Sequence, residues 1–162
     1  MHRPNWPLRT ERLVLRPWED GDLEAMHEIQ RDPEVCRYLY NEPLTLEETR
    51  ERLTRKIATD AFRNEGDWMG CAVTLASTGE LVADASLAWT SESHKQGEIG
   101  FAVHPAHQGK GYATEMSRPL LAFGFEVVGL HRIVGRLEAR NTGSARVLTK
   151  LGMRREAYLI EN

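Results

Sequence analysis

Cysteine is scarce in this 162-residue chain, which contains only Cys36 and Cys71. The two cysteines do not form a CxxC pair, and the six histidines are scattered without the spacing of metal ligands. A disulfide framework or a zinc site therefore has little support. We expect no bound metal, and we expect both cysteines to be packing residues.

Long apolar runs and strongly basic runs are also missing. No stretch approaches the ~20 apolar residues that cross a bilayer, and residues 1–7 lack the apolar core of a secretory signal. The formal net charge is −3, and no Lys/Arg run of the kind that grips nucleic acid occurs. We expect a cytoplasmic protein that binds neither membranes nor nucleic acid.

Length and composition favour one globular domain over residues 1–162, with 41% hydrophobic and 28% charged residues. A chain of this size buries about two thirds of its unfolded surface. Apolar periodicity and turn signals predict the element order β-α-α-β-β-β-α-β-α, a mixed α/β fold class. The predicted strands cover residues 13–16, 68–76, 81–89, 98–103 and 131–139, and the main helix covers residues 113–128. Another helix is predicted to begin at Thr45, where Glu48 completes a capping box, and Asn141 or Thr142 is predicted to cap the last helix.

The most informative segment runs from Glu98 to Thr114, where a strand-like run passes through a Pro turn into a glycine-rich loop that opens a helix. The first N–H groups of a helix have no internal partners and carry partial positive charge. Gly109 and Gly111 permit positive φ and close approach of a ligand to the backbone. The segment therefore predicts a binding site for a nucleotide-like diphosphate.

Two common phosphate loops do not fit this segment. A Walker loop needs Ser or Thr after Gly-Lys, where this chain has Gly111, and a Rossmann fingerprint needs a third glycine, where it has Thr114. The pattern Q/R-x-x-G-x-G/A does fit, over residues 108–113. This hexapeptide resembles the acetyl-coenzyme A loop of the GNAT superfamily of N-acetyltransferases.

Other segments resemble the same family in the same order. Residues 10–17, 22–23 and 32–35 look like the opening of the RimJ/RimL branch, whose members acetylate protein N-termini. Residues 129–133 and 141–153 resemble the branch's fifth strand and the helix after it. The resemblance covers roughly residues 8 to 160.

The resemblance implies a GNAT fold: a mixed, mostly antiparallel central sheet flanked by helices, with its fourth and fifth strands splayed apart. It implies acetyl-coenzyme A as co-substrate and a primary amine as acceptor, either a protein N-terminal α-amino group or a small amine. Cys36 and Cys71 lack a neighbouring base at a telling spacing, which favours direct attack within a ternary complex over a covalent acyl-enzyme.

The resemblance also implies which residues hold the cofactor. The pyrophosphate would be held mostly by backbone N–H groups of the loop, at Gln108, Gly109, Lys110, Gly111, Tyr112, Ala113 and Thr114. The pantetheine arm would lie beside the strand edge at Phe101, Ala102 and Val103, bonded also by the Asn141 amide and close to Ser144. Gly100 is interpreted either as a bulge or close approach that starts the splay, or as a packing glycine.

Candidate catalytic residues follow from the same resemblance. Many GNAT enzymes use a tyrosine seven residues after the asparagine, a position held here by Leu148, so Ser144 becomes the candidate general acid. Its alternative role is that of an ordinary first-turn helix serine. Glu98 is the first candidate for the base, acting through a water, and Glu156 is the second. A carboxylate at a strand end is otherwise simply solvated.

Three further expectations concern the acceptor side and the chain's end. Trp68, Trp89 and Tyr38 either line the acceptor cleft or pack in the core. Branch members continue past Tyr158-Leu159 into a closing strand, whereas this chain stops at Asn162, so we expect a C-terminally incomplete domain. The exposed strand edge would allow a homodimer.

The alternative to an N-acetyltransferase is a non-catalytic sensor or scaffold that binds acyl-coenzyme A.

Overall fold

A computed structural model describes residues 1–39 and 41–159 of the chain. Its strands form one six-stranded sheet in which every neighbour in space is also the neighbour in sequence. The strands are β1 (Leu8–Arg9), β2 (Leu13–Arg16), β3 (Trp68–Leu75), β4 (Leu81–Ser91), β5 (Gln96–Val103) and β6 (Arg132–Val134). β1 was not predicted, so the predicted fourth and fifth strands are β5 and β6.

The sheet is antiparallel from β1 to β5, and β5 pairs with β6 in parallel. Short turns join β1 to β2, β3 to β4 and β4 to β5, whereas residues 17–67 lie between the antiparallel neighbours β2 and β3. In the β3–β4 hairpin, the φ of 77° at Gly79 suits its left-handed position. The parallel step needs a crossover, which the long helix after β5 supplies. The predicted mixed, mostly antiparallel sheet is confirmed.

Five α-helices in the described part of the chain flank this sheet. They are α1 (Leu23–Gln30), α2 (Pro33–Cys36), α3 (Leu46–Ile57), α4 (Tyr112–Ala122) and α5 (Thr142–Lys150). The α3 start follows the predicted capping box, because Thr45 Oγ1 accepts from the Glu48 N–H and Glu48 Oε2 accepts from the Thr45 N–H. α2 was not predicted; Asp32 caps it by accepting from the N–H groups of Glu34 and Val35.

Side-chain alternation along the strands creates a core on each face of the sheet. On one face, Met116 and Leu120 of α4 pack against Leu87 and Ile99. The opposite core is built from α1 and α3 and includes Met26, Ile29, Leu53 and Ala72. The strands around β5 are thus covered by α4 on one side and by α1 and α3 on the other.

The helix predicted over 113–128 is regular only to Ala122 and continues as a π-helical segment, Phe123–Val128. The α-helix continues through Pro119, and the change from α-helical to π-helical geometry comes four residues later, at Phe123. Gly124 in this segment lies against Ile133, because a Cβ there would be 2.7 Å from Ile133 Cδ1. The wider turn therefore fits the helix closely against the sheet.

The strand predicted over 131–139 was too long, since β6 ends at Val134. Gly135 follows at once, where α5 packs so closely that a Cβ would be 2.6 Å from Leu148 Cδ1. Among the described residues β6 forms one edge of the sheet. The prediction of a missing closing strand concerns the chain's end, and residues 160–162 lie outside the described residues.

No described helix is long and apolar enough to span a membrane.

Candidate active site

The loop after β5 has the geometry that its glycines predict. Pro105–His107 form one 3-10 turn, and Gln108 then donates from Nε2 to the Val103 carbonyl at 3.2 Å. Gly109 and Gly111 follow with φ of 75° and 84°. Because L-residues with a Cβ rarely adopt such angles, these glycines allow the chain to turn directly into α4.

The backbone N–H groups from Gly109 to Thr114 are aligned at the start of α4 without acceptors of their own. Within residues 1–39 and 41–159 none of them donates a hydrogen bond, and the first amide that does is that of Glu115, to the Gly111 carbonyl at 3.1 Å. The loop residues 108–111 are exposed. A row of unpaired, solvent-accessible donors at a helix N-terminus is suited to a phosphate group.

β5 and β6 pair only over three residues, from Gln96↔Arg132 to Glu98↔Val134. Beyond that point Ile99 to Val103 pair with β4 alone, so their other edge has no strand partner in the described part of the chain. The remaining stretch of β5 is about 17 Å long. Pairing with β6 ends there, and the free edge of β5 runs from Ile99 to Val103 toward the glycine loop; we call the region beside this edge the β5–β6 crevice.

These features fit an elongated ligand with a diphosphate at one end. The loop amides would take the diphosphate, and the free backbone edge at Phe101, Ala102 and Val103 would accompany the arm. Gly100 does not form the predicted bulge, because it pairs in register with Ser86. It is a close-packing glycine instead, since a Cβ there would be 2.9 Å from Ser86 Oγ.

The start of α5 brings Asn141 and Ser144 together. Asn141 is the N-cap, and its Oδ1 accepts from the Ser144 N–H at 3.0 Å, as the predicted capping role requires. This bond leaves the Asn141 amide NH₂ available as a donor. The Ser144 hydroxyl donates to no acceptor among the described residues, and the side chain is half-buried. Leu148 packs on Gly135, one turn further along α5.

Glu98 lies at the vertex of the crevice, at the last β5–β6 pair. Its Oε2 is 3.1 Å from Arg136 Nη1, so an ion pair joins β5 to the segment after β6. The Glu98 side chain is 28% exposed, whereas that of Arg136 is 80% exposed. Arg136 can therefore leave the carboxylate at little cost, because such exposed pairs contribute only about 0–1 kcal/mol.

Glu156 is bound differently. Hydrogen bonds from Arg132, and secondarily from Arg154, hold the pKa of the Glu156 carboxyl below its usual value. Two guanidinium groups contact Glu156, whereas the ion-pair partner that Glu98 has among the described residues is the exposed Arg136. The geometry therefore favours Glu98 over Glu156 as the candidate base.

Glu98 lies on the face of the sheet that α1 and α3 cover, and its neighbours on that face are small residues of β4 and β5. Cross-strand neighbours share a face, so Glu98 stands next to Ala88, and Gly100 next to Ser86. Deeper on this face, Lys56 Nζ lies 2.8 Å from Asp84 Oδ2 in a buried ion pair. Trp68 is the other cross-strand neighbour of Ala88, so its ring lies on this same face.

The three aromatic residues that were candidates for the acceptor cleft each contact another side chain. The Trp68 ring centroid is 4.3 Å from Lys56 Nζ, the Trp89 and Phe62 ring centroids are 6.3 Å apart, and the Tyr38 ring centroid is 5.5 Å from the guanidinium carbon of Arg37.

Cys36 and Cys71 are free and buried, which confirms their prediction as packing residues. Burial raises the pKa of the Cys71 thiol far above its usual value, so it is a poor nucleophile.

Sequence reasoning missed the side chains that support the loop. Lys110 Nζ donates to His107 Nδ1 at 3.4 Å, and His107 Nε2 then donates to Glu80 Oε1 at 2.9 Å. On its other side the loop contacts Arg12, which also binds Glu115. Glu80 and Arg12 are remote in sequence from the loop, and no local pattern predicts such contacts.

Comparisons with known proteins agree with this geometry. The profile of the acetyltransferase (GNAT) domain family matches residues 12–154. The chain is 31% identical to the N-acetyltransferase YnaD of Bacillus subtilis over 157 residues, covering 93% of this chain and 84% of that protein. A GNAT-family acetyltransferase structure from Bacillus anthracis is 33% identical with a TM-score of 0.84, covering 94% and 86% of the two chains.

A third similar protein is known with ligands. The crystal structure of spermidine N-acetyltransferase from Vibrio cholerae in complex with CoA and spermine has a TM-score of 0.79 to this chain. The two sequences are 25% identical, and the similarity covers 94% of this chain and 87% of that one.

Proposed function

This chain belongs to the GNAT family of acetyltransferases and is an acetyl-CoA-dependent acyltransferase, and we propose that it binds the cofactor in the β5–β6 crevice and acetylates a primary amine there. The observation that carries this proposal is the row of unpaired amides from Gly109 to Thr114 at the open end of the crevice. It supplies donors where a diphosphate would lie.

The cofactor site comprises backbone donors and one side-chain amide. The N–H groups between Gln108 and Thr114 bind the diphosphate, the β5 edge at residues 101–103 follows the pantetheine arm, and the Asn141 NH₂ donates to it from across the crevice. Acetyl-CoA, when bound, supplies the activated acetyl thioester. The chain's contribution is mainly to hold thioester and amine together.

Ser144 and Glu98 carry the proton transfers in this proposal. The Ser144 hydroxyl, which has no protein acceptor in the described ranges, donates its proton to the departing thiolate. Glu98 accepts the proton of the attacking ammonium, directly or through one water, once that amine has displaced Arg136. The amine attacks the thioester directly, in a ternary complex.

The acceptor is a protein N-terminal α-amino group or a small amine, with the RimJ/RimL-type branch favoured by residues 10–17 and 32–35. Several similar proteins, each 25% identical to this chain, are named spermidine N(1)-acetyltransferases, so spermidine is one small amine to test. The domain spans residues 1–162, and the β6 edge offers a surface for a second copy of the chain.

Thiol release tests this function. The protein is incubated with acetyl-CoA and a panel of N-terminal peptides, small amines and polyamines, and free coenzyme A is followed with a thiol reagent. At least one acceptor should raise the rate above that of acetyl-CoA hydrolysis. Binding of coenzyme A with no turnover on any acceptor would contradict catalysis and support the sensor or scaffold alternative.

A further inference from the structure

Arg12, in the turn between β1 and β2, is joined to the first turn of α4. Its backbone N–H donates to Glu115 Oε1 at 2.8 Å, and its Nε donates to Glu115 Oε2 at 2.7 Å. Thr10 Oγ1 donates to Glu115 Oε1 at 2.6 Å. The carboxylate is therefore bound by both the main chain and the side chains of one turn.

The same guanidinium also touches the glycine loop. Arg12 Nη1 donates to the Lys110 carbonyl at 3.0 Å, and the guanidinium carbon lies 4.7 Å from the Tyr112 ring centroid. A Cβ on Gly111 would be 3.5 Å from Arg12 Nη2. One side chain thus contacts Lys110 and Tyr112 and lies beside Gly111 between them, in the loop whose amides are unpaired within the described residues.

The charges of this contact bear on anion binding. Glu115 stands in the first turn of α4, the end of the helix where the diphosphate is proposed to bind. Burial alone would raise the pKa of the Glu115 carboxyl, but hydrogen bonds from Thr10 and Arg12 outweigh it and hold the pKa below its usual value. Without Arg12 this carboxylate would stay charged and repel an anion at the same helix end.

We propose that Arg12 is a positioning residue for the cofactor: it fixes the Lys110–Tyr112 backbone so that the loop amides face the diphosphate, and it neutralises Glu115 beside them. This inference rests on the proposed function, because it takes the loop as the diphosphate site. Arg12 acts through the loop and through Glu115, and it makes no contact with the reacting atoms.

The test is Arg12→Ala, measured by calorimetric titration with coenzyme A and by steady-state kinetics. Because hydrogen bonds to charged groups are lost, the Kd for coenzyme A and the KM for acetyl-CoA should each rise about tenfold. The kcat at saturating acetyl-CoA should change by less than about twofold. The loss should be smaller with S-acetylpantetheine, which lacks the diphosphate. Arg12→Lys, which keeps the charge without the planar fork, should give an intermediate Kd.

A matched control is Arg16→Ala, at the end of β2, the strand that follows Arg12. Arg16 forms a two-pronged ion pair with Asp22, at 2.8 Å for each oxygen, away from the loop. This variant should lower the melting temperature and leave the Kd for coenzyme A unchanged. The Arg12 side chain is 45% exposed, so Arg12→Ala removes no fully buried group.

Equal Kd values for wild type and Arg12→Ala would overturn the inference while leaving the proposed function intact. So would an equal loss with acetyl-CoA and S-acetylpantetheine, since that result indicates a general structural defect. If the wild-type protein itself fails to bind coenzyme A, the proposed function fails first and this inference fails with it.

Discussion

The two ends of the β5–β6 crevice are built in different ways. At the open end the donors are main-chain amides, and their positions are fixed by two left-handed glycines and by contacts from Arg12 and His107. At the vertex the candidate group is the side chain of Glu98, with the exposed Arg136 as its partner, and the Ser144 hydroxyl stands in the first turn of α5. The proposed cofactor end is thus specified by the backbone, and the proposed acceptor end by a side chain that can change its partner.

This difference predicts that substitutions at the two ends of the crevice affect different kinetic parameters. Changes at the open end should alter cofactor affinity, and changes at the vertex should alter turnover or acceptor affinity. The three variants below are ordered by the size of the effect expected.

Ser144→Ala should cause the largest loss. Removing a general acid lowers kcat by about 10²-fold, while the Kd for coenzyme A stays close to that of wild type because the loop is untouched. Thiol-release assays measure the kcat, and calorimetric titration measures the Kd for coenzyme A. Thr142→Ala, at the exposed first position of the same helix, is the control and should keep both values. A Ser144→Ala enzyme with wild-type kcat would return Ser144 to the role of a plain helix residue.

Gly111→Val should come next, at the opposite end. Valine at a φ of 84° is strained by about 1–3 kcal/mol, so the loop should shift and the affinity for coenzyme A should fall about ten- to hundredfold. Gly66→Val is matched, since Gly66 has a φ of 90° and also lies in a loop, remote in sequence from the glycine loop. The control should lose stability without losing cofactor affinity. Equal affinity losses in both variants would show a global effect.

Arg136→Ala should have the smallest effect. With Glu98 released from its exposed ion pair, the acceptor ammonium has no competitor, so the KM for the amine should fall by up to about fivefold. Arg31→Ala breaks a similarly exposed pair with Glu28 in α1 and should leave that KM unchanged. A higher KM in Arg136→Ala would mean that the guanidinium itself binds the acceptor, and it would contradict the displacement model.

The geometry of the glycine loop could be predicted from sequence because its signals are local. Gly109, Gly111 and the helix that follows stand within a few residues of one another, and their backbone requirements are steric. The Thr45–Glu48 capping box and the Asn141 cap were predicted correctly for the same reason. Each depends on the spacing of neighbouring residues rather than on tertiary contacts.

The acceptor end and the loop supports depend on contacts that no local pattern encodes. Arg12 and Glu115 are separated by 103 positions, and Glu98 meets Arg136 only because β6 ends at Val134. The length of β6 was overestimated by residues 135–139, and the strand ends at Gly135, where Leu148 of α5 packs closely on the chain. Gly100 was ambiguous in sequence, and only the register with Ser86 decided its role.

Amide hydrogen exchange at Gly109 to Thr114, followed by NMR with and without coenzyme A, tests the central claim most directly. These N–H groups lack acceptors within residues 1–39 and 41–159, so they should exchange quickly in the free protein. Saturation with coenzyme A should slow their exchange more than that of any other loop. If coenzyme A binds and these amides exchange at the same rate as before, the diphosphate lies elsewhere and the account of this crevice is wrong.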